Sequence, residues 1–119
     1  MVVELRQDQD LEQLLERSKT DPVLIFKHST QCSISSQAYE EFQQFLESVP
    51  AVPSAVVLVI ENRKLSTAIA ERFGVRHESP QTLLLKDGRV AWHASHWSIT
   101  AESLSDALRS YAESPHRRN

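Results

Sequence analysis

With 119 residues, 40% of them hydrophobic, the chain can fill one compact core but not two. Its formal net charge of -3, with acids and bases interspersed, offers no basic stripe for nucleic acid, and its longest apolar run, Ala55 to Ile60, falls far short of the roughly 20 residues that span a bilayer. A single cysteine excludes an internal disulfide and no basic-then-apolar leader opens the chain, so a cytoplasmic protein whose partners are small molecules or proteins is expected.

Val2 to Leu5 predicts a short edge strand, after which Asp8 or Asp10 offers an N-cap for a helix burying Leu11, Leu14 and Leu15. Pro22 then opens Val23 to Phe26, an apolar run short enough for a buried central strand, followed by a polar stretch from Lys27 to Gln31. From Cys32 a longer helix is predicted, because Ile34, Ala38, Phe42, Phe45, Leu46 and Val49 recur along one face until Pro50. Val56 to Ile60 has the β-branched density of another buried strand. Asn62 is placed to cap a helix from about Lys64 to Phe73 that buries Leu65, Ala68 and Ile69 and ends at Gly74.

Beyond Gly74 the pattern changes. Thr82 to Leu85 and Arg89 to His93 flank an Asp-Gly pair, which predicts an antiparallel hairpin. Ser98 and Thr100 are rival N-caps for a closing helix with Leu104, Ala107, Leu108 and Tyr111 on one face. The order is therefore β-α-β-α-β-α-β-β-α. Crossover helices must cover both faces of a mostly parallel sheet, so the expected α/β fold is a three-layer α/β/α sandwich. It forms a single domain over 1–113, with a frayed tail over 114–119.

Cys32 falls where a buried strand gives way to a helix, so unpaired backbone N–H groups and the positive end of the helix dipole are expected to face its sulfur. A free cysteine titrates at about 8.5 and helix N-termini lower that value, which predicts a nucleophilic thiolate in place of an inert buried thiol. Cys32-Ser33-Ile34-Ser35 forms a C-x-x-S arrangement with a hydroxyl at the position that would resolve a mixed disulfide. A lone thiolate accepts half of a disulfide and waits for a second thiol from outside. Ser35 is either a first-turn capping residue or a group near the sulfur.

Phe73-Gly74-Val75, Ser79-Pro80-Gln81-Thr82 and Leu85-Lys86-Asp87-Gly88 resemble the distal half of a thioredoxin, which implies a thioredoxin-like domain with Pro80 as a cis-proline opposite the redox cysteine. That geometry exposes the Ser79 backbone to an incoming peptide or thiol. More closely, Phe26 to Ser35, followed by Ala38-Tyr39 and Phe42, resembles the one-cysteine bacilliredoxins of the bacillithiol system, as does Val90 to Trp97. Two departures stand out: Ser33 lies where that family often has proline, and Phe26 lies where dithiol thioredoxins carry a buried acid.

The resemblance implies that the Cys32 thiolate removes bacillithiol from mixed disulfides on client proteins. Bacillithiol is then the thiol co-substrate, with S-thiolated proteins as partners and no bound cofactor. A glutathione-type monothiol reductase has the same spacing. An iron-sulfur-binding monothiol redoxin uses a C-G-F-S loop whose glycine and aromatic are missing here, and a non-catalytic stress-response adaptor needs only the fold.

Other residues qualify as support. His28 raises local positive potential or bonds near the thiolate, or else ends the strand in solvent. Arg76 and His77 precede Pro80 in a loop where a cation attracts a carboxylated thiol. His96 and Trp97 link the last strand to the last helix, where Trp97 either meets a bound partner or covers a core edge. Strand alternation sends His93 and His96 to opposite faces, so no metal site with Cys32 is expected.

Overall fold

Strand β2 (Val23–His28) fixes the layout, because its side chains are buried on both faces and need a neighbour in each direction. The computed structural model describes residues 2–112, so the tail expected over 114–119 lies outside the described residues. Around β2 the chain runs β1 (Val2–Glu4), α1 (Asp8–Arg17), then α2 (Ser33–Ser48), β3 (Ser54–Leu58), α3 (Arg63–Phe73), β4 (Gln81–Lys86) and β5 (Arg89–Ser95). A single 3-10 turn at His96–Ser98 leads into α4 (Ala101–Ala112). The five-stranded sheet has the order β1-β3-β2-β4-β5, in which β1, β3 and β2 are parallel and β4 runs antiparallel to both β2 and β5.

Alternation along the strands sorts the core into two layers. Val23, Ile25, Ala55, Val57, Leu83 and Leu85 pack with Leu11 and Leu15 of α1 and Leu65 and Ile69 of α3. On the other face, Leu24, Phe26, Val56 and Leu84 pack with Ala38, Phe42 and Phe45 of α2 and Leu104 and Ala107 of α4. Each fully buried large aliphatic or aromatic side chain contributes about 1.5–3 kcal/mol, so both helix layers are held chiefly by these contacts. The three-layer sandwich and its element order are those expected.

The punctuation also holds. Asn62 Oδ1 accepts the Leu65 N–H at 3.3 Å, and Gly74 closes α3 in the left-handed region with φ +66°. Asp87 and Gly88 both take positive φ, at +54° and +74°, as a two-residue primed hairpin turn requires. Their N–H groups donate to the Ser18 carbonyl at 2.8 Å and the Ser18 hydroxyl at 2.9 Å, docking the hairpin tip against the end of α1. Of the rival caps for α4, Thr100 serves, accepting the Ser103 N–H at 2.9 Å while Ser103 Oγ accepts the Thr100 N–H at 3.0 Å.

Several expectations are corrected. Strand β2 does not stop at Phe26 but continues through Lys27 and His28, because both residues find ladder partners in β3. Strand β3 ends at Leu58, the partner of His28, so Val59 and Ile60 form a turn once β2 has left the sheet. Helix α1 has Gln7 at its N-cap, and Asp10 instead lies in the first turn, its carboxylate accepting the Gln7 N–H at 3.1 Å. Helix α2 turns Ser35 inward and leaves Ile34 half-buried. Tyr111 lies off the buried face of α4 and is 42% exposed.

Candidate active site

Register brings the chemistry to one end of the sheet. Lys27 stands opposite Gln81, so His28 and the turn after it emerge beside Pro80 and the loop before it. Ser29 to Gln31 then carry the chain to Cys32, the N-cap of α2, with extended φ -125° and ψ 125°. Cys32 is half-buried; its N–H donates to the Ser29 carbonyl at 3.3 Å and its carbonyl accepts the Ser36 N–H at 3.1 Å. No acid occupies the first turn of α2, so nothing in that turn offsets the positive end of the helix beside the sulfur. Ser33 is exposed and Ile34 half-buried immediately after it.

Ser35 is completely buried, and its hydroxyl accepts the Ser29 N–H at 2.9 Å while lying 2.8 Å from His28 Nδ1. It thus fastens the turn that delivers Cys32. The His28 ring stacks on Tyr39 with centroids 4.6 Å apart and meets Phe26 edge-on at 5.8 Å. Phe26, at the place of the thioredoxin acid, is buried against Tyr39 and Phe42. Burial pushes the His28 pKa below its ordinary value against a weaker pull from Glu61, so the imidazole is neutral near pH 7. The expectation that His28 adds positive potential is corrected: it is an anchored, uncharged ring.

The facing loop is fixed residue by residue. The Ser79–Pro80 peptide bond is cis, Pro80 is buried, and its carbonyl accepts the His96 N–H at 3.0 Å. Glu78 pairs with His96 at 3.2 Å, and the Arg76 carbonyl accepts from Gln81 Nε2 at 2.9 Å. His96 itself adopts φ +53°, which is uncommon outside glycine. Ser79 Oγ is buried and has no hydrogen-bond partner among the described residues. Trp97 is 63% exposed and therefore does not seal a core edge.

Arg76 and His77 differ in their contacts. Arg76 is exposed, as a residue greeting a charged ligand must be. His77 is exposed as well, but its Nδ1 lies 3.1 Å from Lys27 Nζ and 3.3 Å from Ser66 Oγ, at the edge of the layer between the sheet and α3. Burial, then Lys27 and Arg63, push its pKa down against Glu78, so His77 is not a cation at neutral pH. Lys27 is fully buried, and burial alone pushes its pKa down to about 8. Lys27, Glu78 and Tyr39 received no role from the sequence. Only Lys27 carried a usable signal, since Val23, Ile25 and Lys27 alternate onto one buried face. His93 is exposed, and among the described residues no group of three or more His, Cys, Asp or Glu is placed to hold a metal. No described helix is long and apolar enough to cross a membrane.

The comparisons agree with this geometry. The family model described as monothiol bacilliredoxin BrxC matches residues 3–104. A solved protein assigned as an oxidoreductase with a thioredoxin fold is 33% identical, covering 89% of this chain and 92% of its own, with a TM-score of 0.83. Thioredoxin from Fasciola hepatica, at 19% identity, covers 90% of this chain and 96% of its own, with a TM-score of 0.74. Thioredoxin NaTrxh from Nicotiana alata, at 18% identity, covers 94% and 93% with a TM-score of 0.74. The last two share the fold; the family match, with a half-buried lone cysteine at the start of α2 and a sealed serine after it, makes this chain a member of the monothiol bacilliredoxin family.

Proposed function

We propose that this protein removes bacillithiol from mixed disulfides on client proteins in the cytoplasm, using Cys32 as its one nucleophile. The observation that carries the proposal is the pairing of a half-buried N-cap thiol with a completely buried Ser35, so that the nucleophile is within reach and no second sulfur stands behind it. Family membership supports a thiol redox role, and bacillithiol is the small thiol that the family description suggests.

The Cys32 thiolate attacks the bacillithiol sulfur of the mixed disulfide. The Cys32–bacillithiol bond forms as the client–bacillithiol bond breaks, and the client leaves as a thiolate that takes its proton from water. A second bacillithiol, as thiolate, attacks the bacillithiol sulfur now bound to Cys32. Oxidised bacillithiol departs and the Cys32 thiolate is restored. Across the cycle two bacillithiol sulfurs are joined and the client gains the electrons. Cys32, Ser33 and Ile34 line the approach from α2; Arg76, Ser79, Pro80, His96 and Trp97 line it from the facing loops; Ser35 and His28 hold the Cys32 turn.

Intact-mass spectrometry tests the proposal. Incubation with oxidised bacillithiol is expected to give one adduct on Cys32 that added bacillithiol reverses, whereas oxidised glutathione gives little. Cys32→Ala is expected to abolish removal of bacillithiol from a modified client. Removal by Cys32→Ala at the wild-type rate, or alkylation of Cys32 no faster than a free cysteine peptide, overturns the mechanism; preferential reversible glutathione adduction transfers it to the other thiol.

A further inference from the structure

We propose that Lys27 and His77 are positioning residues for this exchange: their contact, on the sheet face away from α2, holds the Glu78-Ser79-Pro80 loop in the pose that receives a partner disulfide, and protonation of His77 releases it. The inference rests on the exchange reading above and adds a control to the same site.

Lys27 is an expensive residue to keep where it is. It is fully buried, and among the described residues no neighbouring carboxylate offsets the loss of water around its ammonium. A methionine of similar reach fills such a site at lower cost. What the amine supplies is a donor to His77 Nδ1 at 3.1 Å, in a spot shared by the Ser66 hydroxyl at 3.3 Å. An ammonium has donors and no acceptor, so the contact requires Nδ1 to be unprotonated, leaving the ring proton on Nε2.

That contact is one of three successive tethers. The Arg76 carbonyl is held by Gln81, His77 by Lys27 and Glu78 by His96, so the chain reaches Ser79 with each preceding residue fixed. Gln81 is also the cross-strand partner of Lys27, which ties the tethers to the strand that leads to Cys32. Gln81 Oε1 and Ser79 Oγ are buried without partners among the described residues, so the loop is held by its neighbours and leaves polar capacity unspent near the docking edge.

Protonation reverses the middle tether. An imidazolium N–H at Nδ1 faces the Lys27 ammonium as a like charge and as donor against donor. The groups acting on His77 come from every side: Lys27 on β2 and Arg63 on α3 oppose its protonation, the Ser66 hydroxyl on α3 donates to a bare Nδ1 and accepts from a protonated one, and Glu78 on its own loop favours the proton. Acid therefore releases the loop, while neutral pH secures it.

Three proteins test the proposal: wild type, Lys27→Met, and His77→Asn, whose side-chain oxygen accepts from Lys27 without titrating. Backbone 15N order parameters of residues 76–79 are followed from about pH 7.5 to 5. In parallel, the rate on a bacillithiol-modified client is divided by the rate of Cys32 alkylation by iodoacetamide at each pH, which cancels the thiolate fraction. Wild type is expected to lose loop order and this ratio together as pH falls, and His77→Asn to show a flat profile at whatever level it starts. Lys27→Met is expected to have a less ordered loop and a ratio lower on the order of tenfold, yet a urea midpoint at or above wild type. Constant loop order in wild type, a Lys27→Met loop as ordered as wild type, or a loosened loop with an unchanged ratio each overturns the proposal. If wild type shows the expected loop behaviour but reduces neither bacillithiol nor glutathione mixed disulfides, the exchange reading fails and the positioning role falls with it.

Discussion

The Ser35 hydroxyl lies 2.8 Å from Nδ1 of His28, across the turn that places Cys32. The same oxygen accepts the Ser29 N–H, so Ser35→Ala strands a buried backbone donor and a half-buried ring nitrogen at once. The expected cost is about 1–3 kcal/mol in urea unfolding, with Cys32 still open to alkylation. A change below about 0.5 kcal/mol contradicts the role assigned to this hydroxyl.

Ser35→Cys asks a different question at the same site. Residues i and i+3 at a helix start bring Cα atoms within the range a disulfide spans. The variant is expected to discharge its small-thiol adduct internally, leaving a protein lighter by its two thiol hydrogens without a second bacillithiol. Persistence of the adduct in intact-mass spectra shows that the buried position cannot reach Cys32.

Acid stability follows from His28 and His77, both pushed below the ordinary histidine value, first by burial. Above about pH 6.5 each is neutral in the native and unfolded chains alike. As pH falls through 6.5 the unfolded chain takes up protons that the native protein refuses, so stability drops until the lowered native value is crossed. His28→Phe preserves the ring beside Tyr39 and removes one such group. The fall in unfolding free energy from pH 7 to 5 is expected to be smaller in this variant than in wild type; equal falls contradict the assignment.

Lys27 acts at the alkaline end. Its native pKa of about 8 lies below the ordinary 10.5, so between these values the unfolded chain holds a proton that the native protein has lost. Wild-type stability is therefore expected to rise relative to Lys27→Met across that window, with a slope approaching about 1.4 kcal/mol per pH unit. Parallel curves for the two proteins show that the amine is not desolvated.

Trp97, 63% exposed and proposed above to meet the partner, offers contact area to it and little to the core. Trp97→Ala is expected to leave the unfolding free energy within about 0.5 kcal/mol and to raise KM for a protein mixed disulfide several-fold. An unchanged KM removes Trp97 from the docking surface.

Local rules carried much of this molecule. Asn62, Gly74 and the Asp87-Gly88 pair declare their roles because each satisfies a backbone demand within a few residues, whereas Ser98 and Thr100 competed for one cap that the structure gives to Thr100. Cys32 was legible for the same reason, since a strand end followed by a helix start is a local event. Lys27 was not, because its charge argues for solvent and only the later arrival of α3 and His77 covers it. Val59 and Ile60 misled in the opposite sense: their side chains suit a strand, but β2 turns away after His28, whose carbonyl takes the Val59 N–H at 2.9 Å as the last bond between the two strands. The Glu78–His96 pair joins two loops that only the completed sheet brings together.

The clasp of the hairpin tip on Ser18 separates two demands that otherwise conflict. A one-residue slip of β4 exchanges its two faces, so its alignment has to be secured somewhere, and here that happens at the end remote from the thiol. The segment before Pro80 is thereby spared the task. Substitutions there can retune which disulfides are welcomed while the frame beneath stays in step.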